Sequence, residues 1–417
     1  CLLRRRRDPR AEEDRGDRQD LRRTRSSRPM LMRRGGNINN YYTIYIIRAR
    51  MHTHTNNNKI FFISYYKLMN YIKKKIVYIG SKEIYLISFT NDNNFTISFY
   101  NLGGYIHCVL IPYKNNPNKC EDVILGYNKL EDCKISPSYF NSIIGRVGNR
   151  IANSLFYLNG KKYKLFNNEG NHHLHGGENG FNKKVWNVNS IRKDKNELSC
   201  ELEYFSKHLE EGYPGNLNCK TTYTLNNDNE FIIIFNASSD EDTVVNMTNH
   251  NYWNFHGHND YYQNITNHSI KIYSHSVCEN DSASIPTGNL IGVKNTKFDF
   301  QNRKNISQEF LDEGGFDNNY DIGENLSIRK VAEVYSNLTK MGVTYFTNQP
   351  GVQFYTGNMM ANEYNGKENK KYGKNFGLCF EPQFFPDAIN QPKFKSPILK
   401  AGENYLSSIV MRLGNDF

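Results

Sequence analysis

The stretch FTISFYNLGG spans residues 95–104. Phe95, Ile97 and Phe99 alternate with Thr96, Ser98 and Tyr100, and the run then breaks at Gly103 and Gly104. Strict alternation of apolar and polar residues, rich in β-branched and aromatic types, predicts a half-buried β-strand. The paired glycines predict a turn. Neighbouring segments have the same character: KIVYIG (75–80), EIYLISF (83–89), YIHCVLIP (105–112) and DVILGYNKL (122–130). Further along come LSCELEYF, LNCKTTYTL, EFIIIFNA, VTYFT, VQFYTG, FGLCFE and LSSIVMRL, separated by Gly, Asn and Asp. Helical periodicity is confined to SQEFLDEG (307–314) and the region from Ser138 to Ile144. Many strands without a β-helix-β rhythm predict an all-β fold, a large, mostly antiparallel β-sandwich. MMANEYNGKENKKYGKN (359–375) is expected to be an exposed loop between two late strands.

The chain has 417 residues and a formal charge of +11. Residues 1–36 hold 13 arginines and 6 acidic residues, and so carry +7 of that total. The basicity belongs mainly to this arginine-rich tail, which lacks the apolar residues needed to offset ordering entropy. Beyond Gly36 the composition turns to Asn, Lys, Ile and Tyr. Residues 1–75 are expected to be a disordered or misassigned extension, with Met51 and Met69 as candidate starts, and 76–417 one folded domain. A nucleic-acid partner is not expected, because the charge is not spread over the folded part. KIFFISYYKLMNYIKKKIVYIG is interrupted by Lys67 and Lys73 to Lys75, so no membrane helix is expected. No secretory signal is visible. The eight cysteines form no C-x-x-C pair, as expected for reduced thiols in a cytoplasmic protein.

Polar clusters interrupt the strands at GRVGNRIANS (145–154), NHHLHGG (171–177), NMTNHNYWNF (246–255), GGFDNNYDI (314–322), PGVQFYTGN (350–358) and EPQFFPDAINQP (381–392). Glu381 ends an apolar run, so it is either a satisfied structural acid or a general base tuned by its surroundings. His250 is open to the same two readings. His175 precedes Gly176 and Gly177, which would allow a tight turn and close approach of a ligand. His172 and His173 are adjacent and would face opposite ways on a strand, which argues against a three-histidine metal site. No phosphate loop, dinucleotide fingerprint or nucleophile elbow is present. Acid–base chemistry on a neutral polar ligand remains, and Arg, Asn, Asp, Gln and His beside aromatic rings suit a sugar.

These clusters, in this order, resemble the aldose 1-epimerase family over roughly residues 76–417. GRVGNRIANSLFYLNGKKYKL, NHHLHGG followed by GFNKKVW, EGYPGNLNCKTTYTL, NMTNHNYWNF, GGFDNNYDI, PGVQFYTGN and EPQFFPDAINQP match its motifs. The resemblance implies an open-cleft β-sandwich that interconverts the α and β anomers of hexoses such as galactose and glucose, without cofactor or metal. It implies Glu381 as general base, His250 as protonated general acid and His175 as an assisting group. Asn149, Arg150, Asp317 and Gln353 would hold the sugar hydroxyls, with Tyr252 a further candidate. A monosaccharide is the implied partner, and a monomer or homodimer the expected state. A hexose-6-phosphate epimerase and a non-catalytic sugar-binding module are the alternatives. Pro382, Trp253 and Gly148 stand where the family often has Thr, Phe and Ala.

Overall fold

The computed structural model describes residues 69–135, 138–258, 264–360 and 366–417. The tail 1–68, with the expectations that fall on it, lies outside these residues. Among the described residues, three antiparallel sheets have five or more strands. The first is a five-stranded meander of β1 (Asn70–Ile79), β2 (Lys82–Thr90), β3 (Thr96–Tyr100), β4 (Ile106–Tyr113) and β5 (Asn116–Asp122). β1 starts at Asn70, inside the segment assigned above to the extension. Nine of its ten residues are exposed, so this edge strand is held by ladder pairing with β2. Its lysines therefore do not disqualify it.

The opening stretch folds as its alternation predicts. Phe95, Ile97 and Phe99 are buried. Ser98 is buried too, and its hydroxyl lies 2.7 Å from that of its register partner Ser88. Gly103 has φ +64°, and a Cβ there would lie 2.1 Å from the Asn182 carbonyl oxygen. Two expectations change. DVILGYNKL is not a strand: Val123 to Leu125 are buried, but the preceding polar NPNKCED forms β5 at the sheet's exposed edge. The Ser138 to Ile144 region contains turns and the two-residue strand Ile143–Ile144, and a short helix lies earlier, at Asp132–Ile135. The second expected helix is present at Gln308–Asp312, capped by the Ser307 hydroxyl.

The central sheet has nine strands. Their order is Asn187–Lys193, Glu197–Ser206, Leu217–Asn226, Glu230–Ser239, Asn404–Gly414, Gly342–Thr347, Arg329–Ser336, His268–Ile272 and Lys304–Asn305. The third sheet runs Pro286–Gly292, Ser276–Asn280, Asp317–Asp321, Gly351–Tyr355 and Cys379–Gln383. One apolar core joins all three sheets. Phe99 of the first meets Tyr223 of the central sheet edge-on at 4.8 Å. Tyr345 of the central sheet meets Phe380 of the third at 5.6 Å.

The loop expected to be exposed is partly buried. Met359 is exposed, whereas Lys367 and Tyr372 are buried. Lys367 reaches Asp122 Oδ2 at 2.8 Å and the Ile124 carbonyl at 2.7 Å, and Tyr372 packs edge-on against Phe140. A paired lysine can be taken into the interior, which polarity alone does not reveal.

Phe354 packs against Phe380 at 4.9 Å, Phe316 at 5.3 Å and Phe300 at 5.6 Å. Truncating a fully buried Phe typically costs about 3–5 kcal/mol. Phe354→Ala is therefore expected to lower the urea unfolding free energy by about that amount, with an unchanged m-value.

Candidate active site

Three adjacent strands of the third sheet supply much of the site. The register sets Asn319 opposite Gln353 and Gln353 opposite Glu381; one row away it sets Asp317 opposite Tyr355 and Tyr355 opposite Cys379. Side chains alternate between the faces of a sheet. Asp317, Asn319, Gln353, Tyr355, Cys379, Glu381 and Gln383 therefore share one face, while Val352, Phe354 and Phe380 turn to the core. Pro382 also faces away from the site. It lies on the sheet's edge strand, where a missing N–H is tolerated.

The histidines arrive from outside this sheet. His250 follows the short strand Thr248–Asn249, which pairs with Ile143–Ile144. Its Nε2 lies 3.6 Å from Glu381 Oε1, and its Nδ1 lies 3.5 Å from Cys379 Sγ. His175 follows His173–Leu174, which pairs with Arg150–Ile151. The Asn149 N–H donates to His175 Nδ1 at 3.1 Å, and the His175 N–H donates to the Asn149 carbonyl at 3.1 Å. The two rings meet edge-on at 5.1 Å. Tyr252 stacks on His250 at 4.9 Å, and Tyr139 lies near both histidines.

Arg150 anchors a polar chain. Its Nε and Nη2 donate to the two carboxylate oxygens of Glu169, each at 2.7 Å. Its Nη1 lies 3.6 Å from Asp317 Oδ2, and Gln353 Nε2 donates to Asp317 Oδ1 at 2.7 Å. Among the described residues, four acceptors on this buried face have no protein partner, Glu381 Oε2, Gln353 Oε1, Asn319 Oδ1 and Gln383 Oε1, and the first two lie on the residues that border the histidines and Asp317. Leaving such groups unpaired costs about 1–3 kcal/mol each, so these two are ready to receive the hydroxyls of a ligand.

Burial dominates the electrostatics. It pushes the Glu381 carboxyl well above its ordinary range, with Asp317 adding to the rise and Arg150 opposing it. It pulls His250 down to about 4 and His175 well below the usual imidazole value. Against the expectation that His250 is an imidazolium near neutral pH, its burial favours the neutral ring. Taking a cation out of water is what the sequence did not reveal. The pair favours its neutral form, with the transferable proton on Glu381.

The ligand-capable atoms of His175, His250 and Glu381 lie within 4.8 Å of one another. The tautomers argue against a cation there. His175 Nδ1 accepts an N–H, so its proton sits on Nε2, the nitrogen a metal would need. A metal-bound histidine instead donates its outer N–H to an acceptor. The donor set fits proton transfer.

The family model for aldose 1-epimerase matches residues 85–412. The chain belongs to the aldose 1-epimerase family. It is accordingly an isomerase. Galactose mutarotase from Bos taurus is 37% identical over 295 residues, covering 70% of this chain and 84% of the relative. Aldose 1-epimerase from Haemophilus influenzae is 32% identical over 331 residues, covering 77% and 93%. An aldose epimerase homologue from C. elegans superposes with a TM-score of 0.72 at 27% identity, covering 80% of this chain and 99% of that one. A Lactobacillus acidophilus galactose 1-epimerase shares the fold, with a TM-score of 0.70 at 22% identity over 84% and 99%.

The structure brings Glu381, His250, His175, Tyr252, Arg150, Asp317 and Gln353 together. Asn149 meets His175 through its backbone. The neighbouring histidines do other work: His173 is buried between the Phe166 carbonyl and the Tyr213 hydroxyl, and His172 Nδ1 accepts the Asn153 N–H. The glycines after His175 admit protein rather than ligand: a Cβ at Gly176 would lie 1.9 Å from the Gly145 oxygen, and one at Gly177 2.2 Å from the Glu211 carboxylate. Arg146 is a buried brace for Ser206, Lys207, Pro214 and Gly215. Trp253 donates to the Tyr345 hydroxyl in the core. Glu169, Cys379, Tyr139 and Tyr355 were not singled out from sequence. Glu169 lies just before NHHLHGG, and Cys379 two residues before Glu381, the spacing that shares a strand face.

An infrared spectrum of the ligand-free protein at about pH 5.5 is expected to contain a protonated-carboxyl band that disappears in Glu381→Gln. An identical spectrum for the two proteins would mean that burial does not hold the proton there.

Proposed function

We propose that this protein is a mutarotase that interconverts the α and β anomers of free D-galactose and D-glucose by acid–base ring opening. The observation that carries this reading is the buried pair of His250 and Glu381, 3.6 Å apart, with Glu381 Oε2 unpartnered. Sugar hydroxyls donating to that oxygen favour the carboxylate and so shift the shared proton to His250. Glu381 then takes the proton of the anomeric hydroxyl, and His250 gives one to the ring oxygen. The C1–O5 bond breaks, leaving an open-chain aldehyde. Rotation about C1–C2 presents the other carbonyl face, and the ring closes with the proton roles reversed. His175 keeps its proton on Nε2 and serves as a hydrogen-bond donor. Arg150, Asp317 and Gln353 orient hydroxyls, with Asn149 and Tyr252 holding the histidines.

A neutral hexose suits the charges of this cleft better than a phosphorylated one. The Arg150 charge is already met by the Glu169 fork and Asp317, and a phosphate dianion would face those two acids. The seven described cysteines are all free thiols, in keeping with a reducing cytoplasmic setting.

Polarimetry tests the reading. The protein should speed decay of the optical rotation of α-D-galactose or α-D-glucose to the same endpoint as buffer, and Glu381→Gln should slow turnover about 10²–10⁴-fold. No acceleration on either sugar would defeat the proposal. The pH dependence follows from one proton shared by two groups. Below about 4 both are protonated and no base remains; above the raised value of Glu381 the pair loses its proton and no acid remains. A bell-shaped kcat/KM profile is expected, its acid limb near 4 and its alkaline limb above the ordinary carboxylate range.

A further inference from the structure

The described histidines divide by what faces Nδ1. His173 Nδ1 lies 2.8 Å from the Phe166 carbonyl, and its Nε2 lies 2.7 Å from the Tyr213 hydroxyl. His268 Nδ1 lies 3.0 Å from the Ile265 carbonyl, and its Nε2 accepts the Phe255 N–H at 2.9 Å. A carbonyl can only accept, so both rings carry their proton on Nδ1. His175 is the reverse case, because its Nδ1 faces the Asn149 N–H, which can only donate. His250 differs from all three. Its Nδ1 faces the thiol of Cys379, and a thiol can donate or accept.

The strand Cys379–Gln383 explains the placement. Residues i and i+2 share a face and lie about 6–7 Å apart. One strand therefore presents Cys379 to Nδ1 and Glu381 to Nε2 of the same buried ring. We propose that Cys379 is a positioning residue for His250, whose thiol sulfur accepts Nδ1–H and so keeps Nε2 as the nitrogen that releases and regains the proton used in catalysis. The inference rests on the acid–base reading of this site.

The cycle shows why a neutral acceptor at Nδ1 matters. When His250 is charged, Nδ1–H points at Sγ and Nε2–H is the proton to be given. After transfer, Nδ1–H still points at Sγ, and Nε2 is free to take the proton back. A partner able only to donate, such as the N–H facing His175, would forbid that neutral form. A carboxylate would hold the ring charged. The thiol stays protonated through the cycle: burial raises it well above its ordinary value, and Glu381 adds to the rise. No bond to sulfur is made or broken.

The test is ring-nitrogen NMR on the full chain with 15N-labelled histidine at neutral pH, together with polarimetric kinetics. In the wild type, neutral His250 should show the Nδ1–H pattern, and His175 the fixed Nε2–H pattern. Cys379→Val removes the acceptor. It should move His250 to Nε2–H, facing Glu381, and lower kcat about tenfold or more with KM unchanged. Cys379→Ser should keep the Nδ1–H pattern and restore most of kcat. His173 and His268 should keep their Nδ1–H pattern in every variant, which reports an intact fold. An Nε2–H tautomer for neutral His250 in the wild type would overturn the proposal even if neither variant folded. So would wild-type kcat in a folded Cys379→Val. Failure of the wild type to speed anomer exchange on any hexose would instead sink the mutarotase reading, and the spectra would still judge Cys379.

Discussion

The side-chain period of two residues in the third sheet is the constraint on which the site depends. Alternate residues of a strand must face opposite ways. In Gly351–Tyr355 and Cys379–Gln383, this puts Phe354 and Phe380 in the core and Gln353 and Glu381 on the other face. The apolar half of each strand holds the polar half still. The stacked rings of Phe354 and Phe380, and the contact of Phe380 with Tyr345, tie this sheet to the central one. A one-residue slip would send the carboxylate into the core and the rings into the cleft.

Rigidity of this kind lets the protein keep polar groups dry. A buried carboxyl beside a buried imidazole is unfavourable in charged form, which favours the proton on Glu381. Arg150 has a different solution, a two-bond fork to Glu169 with Asp317 close by. Arg146, only four positions earlier, shows a third, with its N–H groups spent on backbone carbonyls and two hydroxyls. Two arginines of one motif thus serve opposite ends, one bracing the fold and one lining the cleft. What separates them is whether a carboxylate waits at the end of the side chain.

Local pattern carried the strands far. FTISFY, EFIIIFNA and LSSIVMRL lie in strands because alternation or a continuous apolar run is a local signal that burial then reinforces. It failed where pairing alone makes the strand. β5 and the first half of β1, before KIVYIG, are polar and mostly exposed, held by their ladders rather than by a core. Lys367 was misjudged for the related reason that its partner, Asp122, is 245 residues away.

The sequence by itself determined that the chain is all-β, and its ordered motifs pointed to the family and to Glu381, His250 and His175. Those are statements about residue types and their order, which a linear pattern can hold. Tertiary structure alone decided which of the clustered histidines meet the carboxylate. Only there does Glu169 claim Arg150, and only there does a cysteine face Nδ1 of His250. It also decided that burial disfavours a charge on His250. Proton positions follow from distances and desolvation, and both arise only when segments more than a hundred residues apart are packed together.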